Sequence, residues 1–152
     1  MSKKVAVVMG SDSDLDTMRP CIQRLQSFGI PAEVRVISAH RTPVAAEELA
    51  SDAMENGFGV IIAAAGKAAH LAGVLAAYTT LPVIGVPIKT SMMGGLDSLL
   101  SMVQMPKGIP VACVAVDGAD NAAILAAQML ALSDPTLTDK LAQFKARMAE
   151  EV

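Results

Sequence analysis

The clearest fold signal is the segment Val5-Ala6-Val7-Val8-Met9, followed directly by Gly10-Ser11-Asp12-Ser13-Asp14. Every residue of the first segment is apolar and most are β-branched, which predicts a strand buried on both faces. Such strands are typical of parallel sheets covered by helices on each side. The polar turn that follows lies at the carboxyl end of the strand, where ligands bind in open parallel sheets.

Four more segments have strand character and alternate with helical patterns. The alternating segment 33–37 predicts an edge strand, and three almost wholly apolar segments predict buried strands, namely 59–63, 82–86 and 111–116. The first predicted helix covers residues 15–28 and has a kink or irregular turn at Pro20, and the second covers residues 42–57 and is capped by Thr42. The remaining predicted helices cover 68–77, 96–103 and 121–132, and a last helix begins at Ser133-Asp134-Pro135. This alternation predicts a doubly wound α/β sheet, and residues 1–152 fit one domain.

The composition excludes several classes of protein. A formal charge of −3 and 3% aromatic residues argue against nucleic-acid and membrane-surface partners, because there is neither a basic excess nor a set of stacking rings. The longest uncharged run, residues 68–88, is interrupted by polar residues and prolines and is not expected to span a bilayer. Cys21 and Cys113 cannot form a disulfide framework, so we expect reduced thiols in a cytoplasmic protein.

Two long segments are almost free of charge. Between residues 57 and 88 the only charged side chain is Lys67, and between 108 and 132 the only ones are Asp117 and Asp120. A helix on the outside of a small α/β domain should carry a charged face. We therefore expect the second faces of these helices to be buried against other subunits, the alternative being an exposed alanine surface.

The loops that follow the strands contain both histidines of the chain. The candidate binding residues after the first strand are Ser11, Ser13 and Asp14, which suit an anion or a helix cap. Those after the second and third strands are Ser38, Ala39, His40, Arg41, Gly66, Lys67, Ala69, His70 and Leu71. Here an arginine beside a titratable imidazole indicates phosphate or carboxylate binding with proton transfer, although a surface pair at a helix start explains the spacing nearly as well.

The sequence lacks the motifs of several other chemistries. Two histidines without a carboxylate at ligand spacing predict no metal site. There is no G-x-x-x-x-G-K-[ST], no G-x-G-x-x-G and no G-x-S-x-G, so a nucleoside triphosphate, a dinucleotide and an α/β-hydrolase triad are not indicated. Cys113 lies in a predicted buried strand, which is a poor place for a nucleophile.

At these same loops the chain resembles the bacterial N5-carboxyaminoimidazole ribonucleotide mutases of purine biosynthesis. The likeness spans nearly the whole chain, and its most specific segments are Ser38-Ala39-His40-Arg41-Thr42-Pro43 and Val103-Gln104-Met105-Pro106. The other matching segments are residues 8–14, 68–71, 81–87, 96–99, 121–123 and 125–128. The resemblance implies a flavodoxin-like three-layer α/β/α sandwich with a five-stranded parallel sheet and an additional C-terminal helix, assembled as a homo-octamer.

The resemblance also implies a cofactor-free shift of carboxylate from the exocyclic nitrogen of an aminoimidazole ribonucleotide to its ring carbon. His40 falls on the family's general acid and base, Ser11 and Arg41 on phosphate-binding residues, and Asp14 on the residue that holds the ribose. Residues 66–73 match the segment that lines the base and the carboxylate. Lys67 stands where the family usually has glycine, and Ala72 where it usually has proline.

Two other functions stay open at this stage. Related aminoimidazole ribonucleotide carboxylases, which use free carbon dioxide, carry a basic residue near the place of Lys67. A non-catalytic flavodoxin-like module for flavin or signalling is the other alternative. It is less favoured, because the loops after the strands offer no aromatic ring and no aspartate ends the third strand, where Ala64-Ala65 stand.

Overall fold

The centre of the molecule is a parallel sheet of five strands in the order β2-β1-β3-β4-β5, as a computed structural model of residues 3–152 describes it. The strands are β1 Lys4–Met9, β2 Ala32–Val36, β3 Phe58–Ala65, β4 Val83–Pro87 and β5 Ala112–Cys113. The helices are α1 Leu15–Ser27, α2 Pro43–Asp52, α3 Leu71–Tyr78, α4 Leu96–Val103, α5 Ala119–Ala131 and α6 Pro135–Glu151, with a short 3-10 turn at Asp12–Asp14. This strand order is that of the flavodoxin-like fold, which confirms the predicted architecture.

Strand β1 is the centre of both hydrophobic cores. Val5, Val7 and Met9 point into the core formed with α1, α5 and α6, whereas Ala6 and Val8 point into the core formed with α2 and α3. All five side chains are fully buried. Because successive side chains of a strand point to opposite faces, a strand with helices on both sides must be apolar at every position.

Several predicted boundaries are wrong. The segment 111–116 forms strand pairs only at Ala112–Cys113 and is half-buried, because β5 is an edge strand that pairs with β4 alone. Helix α2 ends at Asp52 rather than continuing to residue 57, and α3 begins at Leu71 rather than at residue 68. The Thr42 side chain does not cap α2, because its hydroxyl is engaged with the backbone of Ser38.

Pro20 lies inside α1 without dividing it. An irregular turn is found earlier in the chain instead, as the 3-10 turn Asp12–Asp14, and Ser11 is its N-cap. Helix α1 ends where predicted, because Gly29 adopts a φ of +69°, which favours glycine and stops the helix.

The charge-poor helix α5 has one face covered within the chain, and the burial of its second face against other subunits stays a prediction. Six side chains of α5 are buried within the chain itself, where α1 and α6 pack against it, so this helix needs no neighbouring subunit to cover that face. A different helix, α4, exposes an apolar stripe of Leu96, Leu100 and Val103. Despite their apolar composition, none of the helices within residues 3–152 has the length and hydropathy needed to cross a bilayer.

Candidate active site

A cavity of about 590 Å³ lies at the carboxyl ends of β1 to β4. It borders the ends of β1 and β3, the two strands at which the chain order of the sheet reverses and where ligands bind in this type of fold. The residues that the sequence predicted and that line it are Ser11, Ser13, Asp14, Ser38, Ala39, His40, Arg41, Gly66, Lys67, His70 and Leu71. Ala69 is the exception, because its side chain is buried behind the loop. A second cavity of about 530 Å³, lined by Lys3, Leu130 and Lys140 among others, contains none of the predicted residues.

The two histidines are in direct contact. Nε2 of His40 lies 2.6 Å from Nδ1 of His70, and the two rings meet almost perpendicularly, with an interplanar angle of 85°. One nitrogen must carry the proton that the other accepts, so the two rings share a hydrogen bond. The loops after β2 and β3 meet here across the end of β1, because β1 lies between those two strands in the sheet. The pair gives the cavity a proton donor and acceptor held in a defined orientation.

The loop that carries His40 is closed by hydrogen bonds between its own residues. The Ser38 hydroxyl accepts from the Arg41 amide at 3.0 Å. The Thr42 hydroxyl accepts from the Ser38 amide and donates to the Ser38 carbonyl, both at 2.9 Å. These bonds bring the two ends of the segment 38–42 together, which explains why a serine and a threonine flank His40 and Arg41 in the sequence.

The turn after β1 presents hydroxyls and a carboxylate to the same cavity. The Ser11 hydroxyl accepts from the Ser13 amide at 3.3 Å and lies 2.9 Å from the Ser13 hydroxyl. Burial raises the pKa of the Asp14 carboxyl, and the negative charge of Asp117 adds to that effect, while a hydrogen bond with the Ser11 backbone opposes it. Asp14 makes no side-chain cap to the helix that follows, and it lines the cavity.

The loop after β3 has an unusual backbone at Lys67. This residue adopts a φ of +59°, in the left-handed region that glycine occupies without strain. The turn continues through hydrogen bonds from the Ala69 amide to the Lys67 carbonyl and from the His70 amide to the Ala68 carbonyl, both at 2.9 Å. The turn occupies the residues that the sequence pattern assigned to the start of a helix, which explains the late start of α3.

The loop after β4 lines the cavity too, although its residues were not among the predicted site residues. Lys89, Thr90 and Ser91 face the cavity from this loop, and the Lys89 amide donates to Asp117 at 2.9 Å. Their place in the sequence could have identified them, because they follow a buried strand just as the predicted site residues do. Together with Arg41 and Lys67, Lys89 gives the cavity three cations, none of which forms a salt bridge within residues 3–152.

This arrangement is suited to a small anionic ligand that exchanges protons. The lining combines three cations, an imidazole pair, serine hydroxyls and one carboxylate, and it includes no Phe, Tyr or Trp that could stack on a flavin. Among residues 3–152 no three histidine, cysteine, aspartate or glutamate side chains are grouped so that they could hold a metal ion.

Known proteins with similar sequences act on ligands of the kind that this cavity suits. The AIR carboxylase family model matches residues 4–151. The chain belongs to the AIR carboxylase family. Members of this family named N5-carboxyaminoimidazole ribonucleotide mutase include one from Pyrococcus horikoshii, 54% identical over 97% of this chain and 84% of its own. Another, from Thermotoga maritima, is 53% identical over 98% of this chain and 87% of its own.

A solved structure has the same fold as this member of the AIR carboxylase family. The crystal structure of Treponema denticola PurE2-S38D superimposes with a TM-score of 0.91, covering 99% of this chain and 94% of the other, at 27% sequence identity. The flavodoxin-like sheet, with its cavity at the carboxyl ends of the strands, is therefore the scaffold on which the function must be explained.

Proposed function

We propose that this protein is an N5-carboxyaminoimidazole ribonucleotide mutase, an isomerase of purine biosynthesis. It moves the carboxylate from the exocyclic nitrogen to ring carbon C4 and gives 4-carboxy-5-aminoimidazole ribonucleotide. Relatives with this name share more than half of their aligned residues with the chain. The observation that carries the proposal is the His40–His70 hydrogen bond of 2.6 Å inside a cavity with three cations, because the reaction moves one proton on an anionic substrate.

In the proposed mechanism His40 moves that proton. Protonated His40 gives a proton to the carbamate nitrogen, the nitrogen–carbon bond breaks, and carbon dioxide is released beside an enamine-like ring. Ring carbon C4 attacks the carbon dioxide, and His40 then removes the C4 proton, which restores the protonated imidazole while the proton it first gave stays on the exocyclic nitrogen. Atoms and charge balance without a cofactor. His70 orients the imidazole of His40 through their shared hydrogen bond, which is the role of the third group in nucleophile–base arrangements.

The remaining lining residues bind the ribonucleotide. Ser11 and Arg41 hold the phosphate, assisted by Ser13, because hydroxyls and a guanidinium are suited to phosphate oxygens. The Asp14 carboxylate accepts hydrogen bonds from the ribose hydroxyls. The base and the migrating carboxylate lie along Ser38, Ala39 and the segment 66–71, where the Lys67 ammonium neutralises the carboxylate. Ala69 supports this segment from behind rather than touching the substrate.

We propose further that residues 1–152 act as one domain and assemble as a homo-octamer in the cytoplasm. The exposed stripe of Leu96, Leu100 and Val103, together with Met92 and Met93 in the preceding loop, supports the assembly, because apolar surface of this extent favours contact with another subunit. Two free thiols are consistent with a reducing compartment. Sedimentation velocity should give a particle of eight times 15.7 kDa, and a monomer at micromolar concentration would contradict the assembly.

The two carboxylation chemistries are separated by supplying the purified protein with each substrate. A mutase forms 4-carboxy-5-aminoimidazole ribonucleotide from the carbamate and forms it poorly from 5-aminoimidazole ribonucleotide with bicarbonate. The direct carboxylase, which uses free carbon dioxide, has the opposite preference. Turnover only with the second substrate pair would overturn the proposal in favour of the carboxylase, and the absence of both activities would favour a non-catalytic binding module.

A further inference from the structure

Helix α4 contributes one buried polar side chain that the mechanism above does not use. Ser98 is fully buried, and it is the only buried polar side chain within residues 3–152. Its hydroxyl donates to the Ile88 carbonyl at 2.7 Å and accepts from the Lys67 amide at 3.0 Å. A single hydroxyl thus joins the loop after β3 to the loop after β4.

The neighbouring residues of α4 hold the same two loops. The Ser101 hydroxyl, one turn along the helix, donates to the Asp97 carbonyl at 2.8 Å and lies 3.3 Å from the Lys67 carbonyl. The Asp97 carboxylate accepts from the Thr90 hydroxyl at 2.9 Å. Side chains three and four positions apart lie on one face of a helix, so Ser98 and Ser101 together contact both the amide and the carbonyl of Lys67.

The residue held in this way is the one with the unfavourable backbone. Lys67 has a φ of +59°, which an L-residue keeps only where the surrounding structure imposes it. His70 follows three residues later in the same hydrogen-bonded turn and reaches His40 through its Nδ1. The position of the Lys67 backbone therefore sets where the Lys67 ammonium and the His70 ring lie in the cavity.

We propose that Ser98 is a positioning residue for the reaction, which acts by holding Lys67 in its left-handed conformation and thereby aligning the segment 66–70 with the loop after β4. This inference rests on the proposed mutase function for its kinetic consequences. Its structural part concerns the Lys67 amide alone and is independent of that function.

The test is a cycle of three variants: Ser98→Ala, Lys67→Gly and both together. In the native background Ser98→Ala should raise KM, lower kcat and reduce kcat/KM by about 10-fold, because it leaves the part-buried Lys67 amide and the Ile88 carbonyl without their partner. In the Lys67→Gly background the same change should reduce kcat/KM by less than about 3-fold, since glycine adopts this φ without support. An equal loss in both backgrounds, or no loss in the native background, would overturn the proposal.

A merely structural role is separated by a control and by hydrogen exchange. Leu137→Ala, which opens the core beside the other cavity, should lower the melting temperature without changing KM or the exchange at Lys67. Ser98→Ala should speed exchange of the Lys67 amide about 10-fold, and unchanged exchange would overturn the inference even if the native protein showed no mutase activity. If Ser98→Ala does not fold, Ser98→Cys fills the site with a weak hydrogen-bonding group and takes its place in every comparison.

Discussion

Replacing Lys67 separates the backbone strain of the active-site loop from the charge that this loop carries. A left-handed backbone costs an L-residue about 1–2 kcal/mol. Glycine avoids that cost but loses about 0.5–1 kcal/mol because its unfolded chain has more freedom. Lys67→Gly should therefore stabilise the fold by about 0.5–1 kcal/mol, which in a domain of this size raises the melting temperature by roughly 1–4 °C.

The same substitution removes a cation from the cavity. If the Lys67 ammonium contacts the carboxylate of the ligand, a lost charge-assisted contact of about 1.5–3 kcal/mol weakens binding by about 10- to 150-fold. Lys67→Met is the matched variant, because it removes the charge but retains Cβ and the strained backbone. It should weaken binding to the same extent and leave the melting temperature close to that of the native protein.

Both quantities are measured on the same three proteins. Scanning calorimetry at a fixed protein concentration gives the melting temperatures, and calorimetric titration with 4-carboxy-5-aminoimidazole ribonucleotide gives the dissociation constants. Equal melting temperatures for Lys67→Gly and Lys67→Met would refute the account of backbone strain. Unchanged dissociation constants in both variants would refute the contact between Lys67 and the ligand.

Three further substitutions test the cavity. His40→Asn should leave product binding within about 3-fold of the native value. It should lower kcat by about 10²- to 10⁴-fold, which is the usual contribution of a general acid and base. Residual turnover with lost binding would show that His40 has a structural role instead. Arg41→Ala should weaken binding by about 1.5–3 kcal/mol in a titration, whereas Arg35→Ala on the outer strand should not, and an unchanged dissociation constant would remove Arg41 from the phosphate site. Because burial raises the pKa of Asp14 above 3.8, its ionisation opposes folding increasingly as the pH rises from 3.8 and fully once the pH exceeds the raised value. Asp14→Asn should thus raise the melting temperature at pH 7, with the gain disappearing below pH 3.8, where Asp14 is protonated in both states; a lower melting temperature at pH 7 would contradict this.

Much of the fold was predictable because β1 is apolar at each position and the helical patterns around it are clear. The order of the strands could not be read from the pattern of residues, because the pairing of β1 with β2 and β3 depends on contacts between distant segments. The length of β5 was overestimated for a related reason. An apolar segment looks the same in a central strand and at an edge, where pairing on one side alone leaves most of it outside the ladder.

The candidate site was predicted to the level of its loops and not of its contacts. Both histidines were placed after strands, but their contact follows from β1 lying between β2 and β3. The left-handed backbone of Lys67 has no signal in the lysine itself, and the one available signal was that the family usually has glycine at this position. Ser98 was missed because a serine within an apolar helix looks like a surface position until the partners of its hydroxyl are known.

An isotope label on the migrating carboxylate shows whether the transfer is intramolecular. The protein is given the carbamate substrate labelled with ¹³C in its carboxylate, in the presence of excess unlabelled bicarbonate, and the product is analysed by mass spectrometry over the first turnovers. Our account predicts that most of the product retains the label at C4, because the carbon dioxide released beside His40 is captured before it leaves the cavity. A product with the isotope content of the bicarbonate pool would contradict an intramolecular transfer.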